Sequence, residues 1–168
     1  MLSLAVMQQG RKPMMRAFMI GAVSAAALML SAGAFAQQSK SGTAEEAKAM
    51  LTKAIAAVKA DKTKAIDMFN KGEGGFRQGD LYPYCFNISD GKVVATQIKQ
   101  GVGTDIRTLK DPTGKPFGLE IFAAAKDGQI TEVGGYMFPR PGTDTTPVPK
   151  VSYVTAAGDL GCGVGYYK

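Results

Sequence analysis

From Thr43 onward, apolar residues return at the interval of an amphipathic helix. Ala47, Leu51, Ala54, Ile55 and Val58 fall on one stripe, and Thr43-Ala-Glu-Glu46 ahead of them has the pattern of a capping box. A break at Asp61-Lys-Thr63 precedes a second short helical stretch, Ala65 to Asn70, which keeps Ile66 and Phe69 apolar and stops at Gly72. Gly72 to Gly79 reads as a linker turn. From Tyr82 the period falls to two: Tyr84, Phe86 and Ile88 alternate with Cys85, Asn87 and Ser89, and Asp90-Gly91 then leads into Lys92-Val-Val-Ala95, which together predict a hairpin. Residues 96–118 are irregular and rich in Gly and Pro, with room for one helical turn between Thr104 and Leu109. Leu119 to Ala125 and Gln129 to Phe138 flank Asp127-Gly128 and predict a second hairpin. Pro139 to Pro149 carries four prolines and is expected as an extended loop that cannot join a sheet interior. Val151 to Ala156 and Leu160 to Tyr167, around Gly158-Asp159, predict a last strand pair.

Helices followed by strands indicate an α+β domain in which the helical stripe covers one face of an antiparallel sheet. The segment ahead of it has a different character. Residues 1–16 hold Arg11, Lys12 and Arg16 and no acid, Ala17 to Gly33 is an apolar run, and Ala34-Phe-Ala36 closes it. That order is a secretory signal peptide over 1–36, cleaved between Ala36 and Gln37; the competing reading is an uncleaved inner-membrane anchor. With no Cys near the end of the run, a lipoprotein is disfavoured. Positions 37–42 read as a flexible new N-terminus and 43–168 as a single domain, which places the protein in the periplasm or outside the cell.

Composition then narrows the chemistry. The 168 residues contain no His, which excludes His-based triads, dyads and His-ligated zinc. The formal charge of +6 (20 basic, 14 acidic) includes the three basic residues of the leader, so residues 37–168 carry 17 − 14 = +3. With no phosphate-binding glycine loop and no basic stripe interleaved with aromatics, no nucleic-acid partner is expected. Cys85 and Cys162 are an even pair in an exported chain, too far apart for a CxxC motif, and one structural disulfide is the default reading.

Several segments carry a resemblance: Asp80-Leu-Tyr-Pro-Tyr, Ser89-Asp-Gly-Lys-Val-Val-Ala, Lys110-Asp-Pro-Thr-Gly-Lys-Pro-Phe, Tyr136-Met-Phe-Pro-Arg-Pro-Gly, Pro149-Lys-Val-Ser-Tyr-Val and the closing Gly161-Cys-Gly-Val-Gly-Tyr-Tyr. In this order they are similar to the Cache family in its single-module type 2 form. The resemblance implies a PAS-like antiparallel sheet behind a long N-terminal helix, and extracytoplasmic binding of small molecules, often short carboxylates, as the sensor part of chemoreceptors or histidine kinases. It also implies that the first and last strands are neighbours, which would bring Cys85 and Cys162 together. Two features common in the family are absent: the region after the first hairpin reads Ala95-Thr-Gln-Ile where a His-Pro pair is usual, and Gly103-Thr-Asp stands where Gly-Lys-Asp is usual.

An anion pocket needs a fixed cation or converging donors and an apolar wall for the rest of the ligand. Tyr136, Lys150 and Tyr153 coincide with family motif positions, and Arg107 and Arg140 are loop cations nearby. Each has a structural alternative: half-buried strand aromatics for Tyr136 and Tyr153, a solvated charge for Arg140, edge protection for Lys150. Residues 150 and 153 also point to opposite faces of a regular strand, so both line one pocket only if the strand is bulged or Lys150 belongs to the loop. Asp111 and Asp127 sit in turn patterns and receive no catalytic role. No cofactor, metal or enzymatic activity is expected. The expected function is a small-molecule sensor module for a short organic carboxylate, acting through a separate membrane histidine kinase or chemoreceptor; the alternative is a structural or protein-interaction module on the same scaffold.

Overall fold

The computed structural model describes residues 41–168 apart from Lys99 and Thr143. The expected signal peptide, its cleavage site at Ala36 and Gln37, and positions 37–40 lie outside the described residues.

Helix α1, Ala44–Ala60, opens on the capping box: the Thr43 hydroxyl accepts from the Glu46 amide at 3.2 Å, and the Glu46 carboxylate accepts from the Thr43 amide at 2.9 Å. Asp61 ends this helix and begins the next. Its amide donates to the Ala57 carbonyl, and its carboxylate accepts from the Lys64 amide at 3.0 Å, capping α2, Lys62–Lys71. Gly72 takes the left-handed conformation, φ 71°, that stops α2. Strands β1 (Pro83–Asn87) and β2 (Val93–Ala95) follow, then a 3-10 turn over Ile106–Thr108, helix α3 (Phe117–Ala124), and strands β3 (Thr131–Pro139), β4 (Pro147–Ala157) and β5 (Leu160–Tyr167). The sheet runs β2-β1-β5-β4-β3, with every neighbouring pair antiparallel.

Each face of the sheet has its own core. On one side Ala47, Leu51 and Ala54 of α1 and Phe69 of α2 pack on Cys85, Cys162 and Val164. On the other, Phe86, Val93, Val133, Tyr136 and Val154 are covered by Ile106 of the 3-10 turn and by Phe117 and Ile121 of α3. Cys85 and Cys162 stand directly opposite in the β1–β5 ladder and form a disulfide on the helical side. The α+β class, the long N-terminal helix and the adjacency of first and last strands all follow the expectation.

Two expectations are corrected. Leu119 to Ala125 is not a strand. Phe117 and Ile121 are buried one helical turn apart while Leu119 between them is 51% exposed, whereas a strand would put all three on one face. Gly118 fixes the helix against the 3-10 turn, since a Cβ there would come within 1.8 Å of the Ile106 carbonyl oxygen. Asp127-Gly128 therefore turns a helix into β3. The second correction concerns Pro139 to Pro149, whose ends are paired, Pro139 with Pro147 and Met137 with Pro149. The ladder between β4 and β5 begins only at Lys150–Tyr167, so Pro147 lies beyond the end of β5, where a missing amide costs no ladder bond, and the Pro149 carbonyl accepts from the Lys168 amide at 3.0 Å.

The outer edge of β3 is closed by the turn before α3. The Asp111 carboxylate accepts from the Met137 amide at 3.0 Å, and the Lys115 ammonium donates to the Gly134 carbonyl at 2.7 Å. The Thr113 hydroxyl, together with the amides of Met137, Lys115 and Thr113, holds the Asp111 carboxyl at a pKa of about 2. Asp111 has the turn role expected of it and also protects the edge.

Candidate functional site

The site lies on the face away from α1. A bulge between Val133 and Tyr136, with Gly135 at φ 71°, shifts the register so that both side chains share this face despite their odd spacing. Tyr136 then pairs with Lys150 across the ladder, and its hydroxyl shares a 2.7 Å hydrogen bond with Ser152.

Alternate positions of β5 are glycines, and neighbouring side chains occupy the space they leave. Phe86 lies over Gly161, the Tyr84 hydroxyl over Gly163, and the end of Lys150 over Gly165; a Cβ at these glycines would approach those groups within 2.4, 2.4 and 2.3 Å. The strand that forms the floor is thus thin enough for two polar side chains of its neighbours to lie across it.

Lys150 is 3% exposed. Its ammonium donates to the Tyr167 hydroxyl at 3.1 Å and the Tyr82 hydroxyl at 3.3 Å, and it sits 4.6 Å from the Tyr167 ring centre, 4.7 Å from that of Phe138 and 4.9 Å from that of Tyr82. The Tyr167 hydroxyl donates onward to the Pro139 carbonyl at 2.7 Å. Among the described residues no carboxylate pairs with this lysine. Burial lowers its pKa from 10.5 to about 7; Asp80 opposes the shift and Arg140 adds to it. Three aromatic rings hold the cation by their faces, but two hydroxyls leave one of its three N–H donors unused.

Behind Tyr167 lies a plug. Arg140 stacks 4.5 Å from the Tyr167 ring centre and is salt-bridged to Asp80, which is buried. Asp80 accepts from the Gly42 amide at 2.7 Å, and Arg140 donates to the Ser41 hydroxyl at 3.0 Å. Ser41 and Gly42, expected as part of a flexible segment, are thereby tied to the end of the site.

Between the sheet and the α3 layer is a cavity of about 220 Å³. Among the described residues Lys150 is the one charged residue in its lining; Val93, Ile98, Ile106, Leu109, Phe117 and Ile121 form most of the wall, with Thr96, Gln100 and Thr104 contributed by the loop after β2. Burial raises the pKa values of Tyr82, Tyr84 and Tyr136, so these hydroxyls act as neutral donors or acceptors. The Tyr84 hydroxyl is buried with no hydrogen-bond partner among the described residues, an exception to the rule that buried polar groups are satisfied.

Of the residues singled out by sequence, Tyr136 and Lys150 line this cavity. Tyr153 does not. The β4–β5 register is unbroken from Lys150 to Ala157, so parity sends Tyr153 to the helical face, where it stacks on Tyr166 at 5.9 Å with the Lys48 ammonium over its ring. Arg107 is also absent from the lining, because its guanidinium is held by Asp105 at 2.7 Å and by the Asp90 carbonyl at 2.8 Å and lies over Phe122. Arg140 stands one ring behind the cavity. Tyr82 and Tyr84, read from sequence as shaping the start of a strand, are in the lining. Alternation carried the signal: if Cys85 faces α1, then Tyr84 and Phe86 face away from it. Among the described residues no cluster of His, Cys, Asp and Glu could hold a metal, and no helix is long and apolar enough to cross a membrane.

Replacing Gly165 by alanine would place a methyl at the site of the Lys150 side-chain end. Since that end is flexible, the fold should survive and the ammonium should be displaced. The expected result is a displaced Lys150 side chain in a crystal structure of the variant, with a melting temperature within a few degrees of wild type; an unmoved side chain would contradict its placement over Gly165.

An antiparallel sheet with a long helix behind it and a buried cation facing a small apolar cavity defines an α+β domain of PAS-like build. The chain belongs to the single Cache domain 2 family, whose profile matches residues 22–167. Among solved structures it is similar to a methyl-accepting chemotaxis protein from Vibrio parahaemolyticus (TM-score 0.56, 21% identity, covering 73% of this chain and 86% of that one). It is also similar to the periplasmic sensor domain of a chemotaxis protein (TM-score 0.54, 25% identity, 73% and 88% covered) and to a Cache chemosensory domain described for carboxylic acid recognition (TM-score 0.51, 24% identity, 73% and 86% covered). No curated protein sequence matches the chain.

Proposed function

We propose that this protein is an extracytoplasmic sensor module that binds a small organic carboxylate at Lys150 and acts through a separate membrane histidine kinase or chemoreceptor. The observation that carries the reading is the buried Lys150 ammonium, which has no carboxylate partner, keeps an unused donor and borders an apolar cavity. A carboxylate there would supply the missing counter-charge and a charge-assisted hydrogen bond. The signal-peptide pattern at 1–36 supports export, and the carboxylic acid recognition described for one structural neighbour supports the ligand class. The absent His-Pro and Gly-Lys-Asp features support the second reading, a scaffold that binds a partner chain without a small ligand.

A thermal-shift screen of the purified protein against simple carboxylates, with chloride and the corresponding neutral amides as controls, separates the two. The first reading expects the melting temperature to rise with the acids and not with the amides. No rise with any acid at millimolar concentration would leave the second reading standing.

A further inference from the structure

The cavity has room for considerably more than a carboxylate group and one methyl. An apolar cavity of about 150 Å³ accommodates benzene, so by proportion the 220 Å³ here takes about nine non-hydrogen atoms. The wall that such a ligand would meet is formed by Val93, Ile98, Ile106, Leu109, Phe117 and Ile121, and among the described residues the lining contains neither Asp nor Glu and no cation besides Lys150. Among the described residues an ammonium group carried into this space would have no carboxylate to pair with, and a second carboxylate no cation; each would be desolvated with only neutral side chains such as Thr96, Gln100 and Thr104 to offset the cost. An acetate-sized ligand would leave most of the apolar wall without contacts.

We infer that the cavity selects monocarboxylates with an apolar tail, of about seven to ten non-hydrogen atoms in all, and rejects amino acids and dicarboxylates of equal length. Saturated and aromatic acids such as hexanoate and benzoate represent the class. The inference rests on the reading above, that the anionic end sits at Lys150, and it adds the nature of the remainder of the ligand.

Calorimetry of the purified protein with acetate, propionate, butyrate and hexanoate tests the tail. Affinity should tighten about three- to fourfold per methylene, and on the order of 100-fold across the series. Two matched pairs test the charge rule: 4-methylpentanoate against leucine isolates the ammonium, and hexanoate against adipate isolates the second carboxylate. In each pair the monocarboxylate should bind at least 30-fold more tightly. Val93→Phe, which adds volume to the wall, should weaken hexanoate more than acetate. Equal affinity for acetate and hexanoate overturns the inference, as does leucine or adipate within threefold of its counterpart, while leaving the carboxylate at Lys150 intact. Failure of every acid, acetate included, would instead sink the reading of the site and this inference with it.

Discussion

Replacing Lys150 by methionine is expected to lower carboxylate affinity by about 100-fold or more, because it removes the buried cation of the lining while keeping the length of the side chain. The variant should fold. Lys150 is buried among the rings of Tyr82, Phe138 and Tyr167, where a thioether packs well, and no ion pair is broken by its removal. Unliganded stability should be equal to or above wild type, since the cost of burying the charge disappears. A variant that binds hexanoate or acetate normally would remove the lysine from the site.

The same residue gives wild type two opposite pH slopes. Its folded pKa is about 7, below the ordinary 10.5, so the folded protein binds fewer protons than the unfolded chain between those values. By linkage, the stability contributed at this position rises with pH through that window, and below pH 7 the full penalty of the buried charge is present. Anion binding requires the protonated form, so affinity should fall as pH rises above about 7, approaching tenfold per unit. Urea unfolding and calorimetry between pH 6 and 9 should therefore move in opposite directions, and Lys150→Met should flatten the calorimetric slope. A wild-type affinity that is constant from pH 6 to 9 would show that the lysine is not the anion's partner.

The second large effect is on stability. Cys85 and Cys162 are separated by 77 residues. In the chain-entropy account, closing a loop of that length stabilises the fold by about 4.5 kcal/mol. Cys85→Ala combined with Cys162→Ala should therefore lower the melting temperature by roughly 13–22 °C for a domain of this size. Carboxylate affinity should persist in the molecules that remain folded, because the disulfide lies on the helical face and the cavity on the other. A double variant melting within 3 °C of wild type would show that the bond adds little to the folded state.

The parts of this fold that could be read from sequence are those set by local rules. Thr43, Glu46, Asp61 and Gly72 mark helix ends through backbone groups within a few residues, and each appears where its chemistry puts it. Parity also put residues 150 and 153 on opposite faces of a regular strand, but it did not say which of them faced the cavity, and Tyr153 was expected there with Lys150. What escaped was set by distant contacts. Residues 119–125 look like a strand because they are apolar apart from Glu120 and run into Asp127-Gly128; their helical state depends on Gly118 meeting the Ile106 carbonyl, which no local pattern shows. The pairing of Asp105 with Arg107 and of Asp80 with Arg140 decides that neither arginine reaches the cavity, and only the fold makes the second pair neighbours. Tyr82 and Tyr84 were missed for a related reason: Tyr84 takes its place over Gly163, and Tyr82 meets Lys150, each partner lying far along the chain.

The strand order has a kinetic consequence. β5 is the last of the five strands in sequence and the central one in the sheet, with β1 on one side and β4 on the other. Until residues 160–167 are available, β1 has no partner on that flank and the two halves of the sheet cannot join. The β1–β5 pairing spans most of the domain, so folding should be governed by a late, long-range step and should be slow for a chain of this size. Emerging from the ribosome does not let the chain lock into shape segment by segment. Such a sheet stays open until its last strand has been made.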